Sequence, residues 1–145
     1  IIRMMNMGIQ PFLICSAVLA IVAQRLLRRV CSQCKEEYVV LKPVAVKVGL
    51  TRVSSNSTFK LFRAKGCKKC FNTGYQGRVG ITEILIFSPA VKELILNRAS
   101  EFKIKEQARK EGMKTMREDG LAKALVGLTT LEEVLRVTAS DEAAG

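Results

Sequence analysis

The sequence has no histidine and no tryptophan, three prolines, and only 6% aromatic residues in a chain of 145. Without an imidazole, histidine-based acid/base catalysis is excluded. No G-x-x-x-x-G-K-[ST] phosphate loop occurs, so nothing here is built to cradle nucleotide phosphates in that way. Acidic residues are scarce in one stretch. Residues 25–78 carry thirteen Lys/Arg against Glu36 and Glu37 alone, whereas residues 79–145 carry ten against eleven, and the first 24 residues hold only Arg3. The whole net charge of +11 therefore sits in the middle of the chain. Long apolar runs are also missing. The best, residues 11–23, is bounded by Gln10 and Gln24. A membrane span needs about 20 apolar residues, so this run reads as a buried helix rather than a span or a signal peptide.

Hydrophobic residues make up 48%, enough to bury a core. The length suits one ordinary domain or parts of two small ones. The chain opens on apolar residues from Ile1, which suggests that it continues an element made upstream. Pro11 fits the first turn of a helix reaching to about Ala20. The stretch IVAQRLLRRV that follows is compatible with a helix or with a mostly buried strand. YVVLK and FKLFRA are short strand candidates, and the stretch between them, with Gly49 and Ser54-Ser-Asn-Ser57, reads as a variable connector. RVGITEILIF is the strongest strand candidate. After Phe87 the pattern becomes helical. Ser88-Pro89 and Ser100 are N-caps, Met116, Leu121 and Leu125 share a helix face, and Thr130 to Glu133 has the capping-box pattern. The last residues, 139–145, read as a disordered tail.

Five cysteines are present, and four form two Cys-x-x-Cys pairs, Cys31/Cys34 and Cys67/Cys70, with 32 residues between the pairs. Two such knuckles supply the four sulfurs of a tetrahedral site, and zinc is its default occupant, with iron as a substitute. Such a closed site is structural rather than catalytic. Redox-active dithiols, or two coincidental pairs, are the competing readings. Cys15, in the apolar run, reads as an inert buried residue. Gly74-Tyr-Gln-Gly77-Arg78 reads as a tight turn feeding a strand. Glu83 has no second acid near it in sequence and reads as an edge-facing or paired carboxylate.

Lys60, Arg63 and Lys65 lead into the second knuckle, and Lys68, Lys69 and Arg78 lie in or just after it. They are candidates for a surface facing anions or an acidic partner. The alternative is local compensation of a zinc tetrathiolate, whose net charge is −2, and that needs only about two or three cations.

Three segments resemble the secretion ATPase superfamily. RMMNMGIQPFLICSAVLAIVAQRLLRRVCSQCKEEY is similar to the pattern R-L-x-D-M-G-I-x-P-F-L-I-A-S-S-L-x-x-V-x-A-Q-R-L-x-R-x-L-C-x-x-C-K. GCKKCFNTGYQGRVGITEIL is similar to G-C-x-x-C-x-x-T-G-Y-x-G-R-x-G-I-x-E-L-L, and ARKEGMKTMREDGLAKALVGLTTLEEVLRVT to the family's C-terminal signature. Asn6, Cys15 and Met116 depart from the usual Asp, Ala and Leu. The match looks like the type II secretion E subunit or the type IV pilus extension ATPase. It implies an α/β, mixed α+β fragment. Residues 1–30 would end a RecA-like ATPase core and 31–76 would be an inserted tetracysteine zinc subdomain. Residues 77–87 would return to the core sheet, and 88–138 would form a helical C-terminal subdomain. It further implies a homohexameric ATP hydrolase using ATP and magnesium, whose Walker motifs and histidine box lie outside this chain. Its expected setting is cytoplasmic and peripheral to the inner membrane. There it would meet the membrane platform, cytoplasmic linker proteins and possible anionic lipid, with no nucleic acid. A zinc-dependent nucleic-acid-binding module is the alternative, favoured only by the basic stretch.

Overall fold

The computed structural model describes residues 1–139; the tail expected over 139–145 lies, from residue 140 on, outside the described residues. The elements run α1 (Ile2–Asn6), α2 (Pro11–Ala17), β1 (Ala20–Val30), β2 (Lys35–Leu41), α3 (Lys42–Val48), β3 (Thr58–Ala64), β4 (Tyr75–Ile86), α4 (Pro89–Leu96), α5 (Glu101–Lys110), α6 (Met116–Leu125) and α7 (Leu131–Thr138). β1 pairs with β4, and β2 pairs with β3 in antiparallel register. The architecture is thus mixed α and β with small sheets. IVAQRLLRRV lies in the strand β1, and the helix begun at Pro11 ends at Ala17. The stretch read as a variable connector instead contains α3 and a short 3-10 turn, Leu50–Arg52. Among the described residues, no helix is long and apolar enough to cross a membrane.

The chain divides into two compact units, residues 1–23 with 83–114, and 24–82 with 115–145. The helices of 88–138 are shared between them, α4 and α5 in the first, α6 and α7 in the second. In the first unit Ile14, Val91, Ile95 and Ile104 form the buried core with Phe87 and Cys15. Ser88 and Ser100 cap α4 and α5 as their sequence positions require. Cys15 is buried there, its thiol directed at the Lys92 carbonyl at 3.7 Å. Glu83 is half-buried and engaged by a partner.

In the second unit the alternation of β2 and β3 sends Tyr38, Val40, Phe59 and Leu61 inward, where they meet Leu27, Leu50, Ile81, Leu121 and Val134. Helices α6 and α7 pack closely because Gly120 has no side chain. A Cβ there would come within 2.8 Å of Val134 Cγ1 and 3.3 Å of Cγ2. Helix propensity alone favours Ala over Gly by about 1 kcal/mol. Val134 is fully buried and stiff about χ1, so it cannot yield cheaply. The overpacking term wins, and Gly120→Ala is expected to lower the stability of the second unit by about 1–3 kcal/mol in denaturant unfolding. A gain in stability would contradict this packing account.

Candidate metal centre

The pairing of β2 with β3 builds the centre. Lys35, directly after Cys34, faces Ala64 in the register, and two residues beyond Ala64 the chain reaches Gly66-Cys67. The 32-residue spacer therefore returns to its start, and the two knuckles meet. The Cys31 amide donates to the Gly74 carbonyl at 2.9 Å, which ties the first knuckle to the end of the second. Lys68–Cys70 forms a 3-10 turn, and Phe71 and Asn72 follow in left-handed conformation, φ 51° and 60°. Gly74 has φ 75°, and a Cβ there would lie 2.6 Å from Ala64 Cβ, so this corner admits only glycine. The Gly74-to-Gly77 segment is thus a knuckle corner that leads into β4.

The four sulfurs lie within 4.8 Å of one another. Cys67 to Cys70 is 3.7 Å, Cys34 to Cys70 is 3.8 Å, and Cys31 to Cys67 is 4.0 Å. With zinc–sulfur bonds of about 2.3 Å, a tetrahedron sets its sulfurs about 3.8 Å apart. The donor set and spacing fit such an ion. Backbone amides point at the sulfurs as well. Gly66 donates to Cys34 at 3.3 Å, and Cys67 and Gly74 donate to Cys70 at 3.2 Å each. Burial pushes the Cys34 thiol up to about 12, against the pull of the Gly66 amide. At Cys70 burial also opposes ionisation. The Cys67 and Gly74 amides, with the neighbouring Cys67 and Cys34 side chains, outweigh it and bring the thiol down to about 6. Cys31 and Cys70 are buried, and Cys34 and Cys67 are half-buried. All four ligand positions are filled by protein, so the arrangement can hold an ion but offers it no open position for substrate.

The cations around the centre separate into three groups. Lys65 pairs with Glu36 at 2.5 Å and Lys60 with Glu37 at 3.1 Å, so the stretch's two acids are engaged by two of its lysines. Arg63 stacks over Tyr38, Lys35 over Phe62, and Arg28 over Tyr75, with cation-to-ring distances of 5.0, 4.4 and 4.1 Å. Lys68, Lys69 and Arg78 are exposed and make no ion pair among the described residues. Between them the structure shows a residue that the sequence reading missed. Phe71, directly after Cys70, is 89% exposed on the knuckle. Its aromatic character in a basic segment was the available signal.

Beside the centre lies a buried carboxylate, Glu133, 1% exposed. It accepts from the Arg28 amide at 3.1 Å and from the guanidinium groups of Arg28 at 2.8 Å and Arg136 at 2.6 Å. Burial works against its charge, but these donors prevail and hold its pKa at about 2. Thr130 caps α7 by accepting from the Glu133 amide, yet the Glu133 side chain turns to the arginines, so the expected capping box is only half formed. Thr115 and Glu118 form a complete box at the start of α6.

The chain belongs to the type II/IV secretion system protein family, whose model matches residues 1–136. It is 44% identical to the type IV pilus assembly ATPase PilB of Thermus thermophilus over 95% of this chain and 15% of that protein. PilB of Pseudomonas aeruginosa is 44% identical over 94% of this chain and 24% of its own length. The type II secretion system protein E of Pseudomonas aeruginosa is 43% identical over 95% of this chain and 27% of its own length. The chain thus spans about a quarter or less of the curated relatives it matches.

Proposed function

We propose that this chain is the C-terminal, zinc-containing part of a hexameric ATPase that powers type II protein secretion or type IV pilus assembly. In this reading its own contribution is a metal-stabilised scaffold and a docking surface rather than hydrolysis. The observation that carries the reading is the similarity to pilus and secretion ATPases along 94–95% of the chain. Cys31, Cys34, Cys67 and Cys70 would hold one zinc ion, which supplies a cross-link between two distant stretches of chain. Residues 1–30 and 77–87 would belong to a RecA-like core, 31–76 to the inserted metal subdomain and 88–138 to the C-terminal helices. ATP and magnesium would be bound by the parent's upstream motifs. The purified chain is therefore expected to show no magnesium-dependent ATP turnover above background, whereas turnover that survives repurification would contradict the division of labour.

The docking surface is the exposed part of the knuckle. Lys68, Lys69 and Arg78 would face anionic lipid at the cytoplasmic side of the inner membrane, near the platform and linker proteins of the machine, with Phe71 as an apolar contact. Headgroup attraction is worth about 1 kcal/mol per basic residue close to the surface. Co-sedimentation with anionic vesicles should weaken as salt rises, and should fall about 100-fold when the three cations are changed to Glu with metal content intact. Equal retention on neutral vesicles, or none at low salt, would leave a protein as the partner. A nucleic-acid binder would present several free aromatic faces for stacking. Here the Tyr38, Phe62 and Tyr75 rings are covered by the chain's own cations, Phe59 is buried, and Phe71 is the one exposed ring of residues 25–78, which favours the motor reading.

A further inference from the structure

The loop that joins α6 to α7 is bonded at four successive residues to the segments that carry the cysteines. The Gly127 carbonyl accepts from Lys35 Nζ at 3.1 Å, next to Cys34. The Leu128 carbonyl accepts from the Val30 amide at 3.0 Å, next to Cys31. Thr129 Oγ1 donates to the Arg28 carbonyl at 2.8 Å. Thr130 Oγ1 shares a 3.0 Å hydrogen bond with the Tyr75 hydroxyl, next to Gly74, whose amide donates to Cys70 Sγ. Thr129 and Thr130 are buried, and Thr130 is also the N-cap of α7. The far end of α7 is held by Arg25, whose guanidinium donates to the Val137 carbonyl.

We propose that residues 127–130 form a latch through which occupancy of the four-cysteine centre sets the docking of helix α7, and through which α7 in turn sets the metal affinity. The physical reason is that the latch bonds to three separate stretches, at Arg28 to Val30, at Lys35 and at Tyr75. Arg28 to Val30 and Tyr75 lie on the paired strands β1 and β4, whereas Lys35 begins the β2–β3 sheet, and an ion shared by the sulfurs of both knuckles ties the two sheets into one frame. When the ion leaves, the two sheets can shift against each other, and the four bonds lose their common geometry. Coupling of this kind is reciprocal, so weakening the latch must weaken metal binding by the same factor. The inference rests on the metal reading above and goes beyond it by assigning a conformational consequence to the ion.

Two uncharged substitutions test it without touching a sulfur, an amide that faces one, or the charge around the site. Tyr75→Phe removes only the hydroxyl, and Thr129→Val removes only the donor to Arg28. Each should raise the zinc dissociation constant of the chain about fivefold in competition with a chromophoric chelator. Hydrogen exchange of the zinc-loaded variants should be faster over residues 128–134, with residues 60–70 unchanged. Lys65→Met, at a lysine paired with Glu36 and not with the latch, should leave exchange in α7 at the parent value. If the unsubstituted chain takes up no zinc, the metal reading fails and the latch fails with it. If it takes up one equivalent, but both variants bind zinc as tightly as the unsubstituted chain and their α7 exchanges as slowly as in that chain, both zinc-loaded, the metal reading stands and the latch is overturned. Should Thr129→Val fail to fold, the conservative Tyr75→Phe decides alone by the same two readouts.

Discussion

Stripping the metal, or replacing one ligand as in Cys67→Ser, is expected to unfold the second unit while the first keeps its structure. The magnitude decides this. A structural zinc site contributes on the order of 10 kcal/mol at neutral pH, comparable with the 5–15 kcal/mol net stability of a whole domain. The loss should not stop at the knuckles, because β3 and helices α6 and α7 share one core through Phe59, Leu61, Leu121 and Val134. Helices α4 and α5 pack instead around Ile14 with Val91, Ile95 and Ile104, and nothing in that core depends on a cysteine ligand. Circular dichroism after chelation should thus show partial loss of helix, and exchange should rise over 24–82 and 115–139 but not over 89–110. Acid acts in the same direction, since the ligands bind metal as thiolates and protons compete for them. Retention of a fully folded second unit in Cys67→Ser would contradict the account.

The second large effect belongs to Glu133. Its folded pKa of about 2 lies below the ordinary 4.5. The unfolded chain therefore binds the extra proton first, and acid favours unfolding. The stabilisation is complete above about pH 4.5 and is lost as pH falls through about 2, and the shift corresponds to roughly 3 kcal/mol. Glu133→Ala should cost about 3 kcal/mol at neutral pH, the low end for a broken buried pair. Arg28 and Arg136 reach solvent and are not left stranded when the acid is gone. Glu133→Gln keeps the shape and should cost less. It should also flatten the acid dependence between about pH 4.5 and 2 relative to the unsubstituted chain, both measured by urea unfolding. Unchanged stability in Glu133→Ala would remove the network from the list of what holds α7.

Short-range signals made some of this visible in the sequence. The Cys-x-x-Cys pairs, Ser88-Pro89 and Ser100 each act within a few residues, and each is found where its chemistry requires. Helix α3 was hidden because Lys42-Pro-Val-Ala-Val-Lys-Val48 is rich in β-branched residues. It forms because Ala45, with Leu50 just beyond the helix, fills the core, and because Gly49 turns left-handed after its last residue. The half-formed box at Thr130 has the opposite lesson. Its Glu is claimed by Arg28, 105 residues away in sequence, a contact no local pattern encodes. The basic stretch likewise looked uniform until the antiparallel pairing, which sets Glu36 opposite Arg63 and Glu37 opposite Phe62, brought the two acids within reach of Lys65 and Lys60 on the diagonal.

The claim beneath all of this is that four sulfurs hold one ion, and it can be tested on the purified chain by metal analysis combined with zinc-edge X-ray absorption. The account predicts close to one zinc per chain, with a first shell of four sulfurs at about 2.3 Å and no nitrogen or oxygen ligand. Less than half an equivalent of metal, with a fold indifferent to chelation, would contradict it.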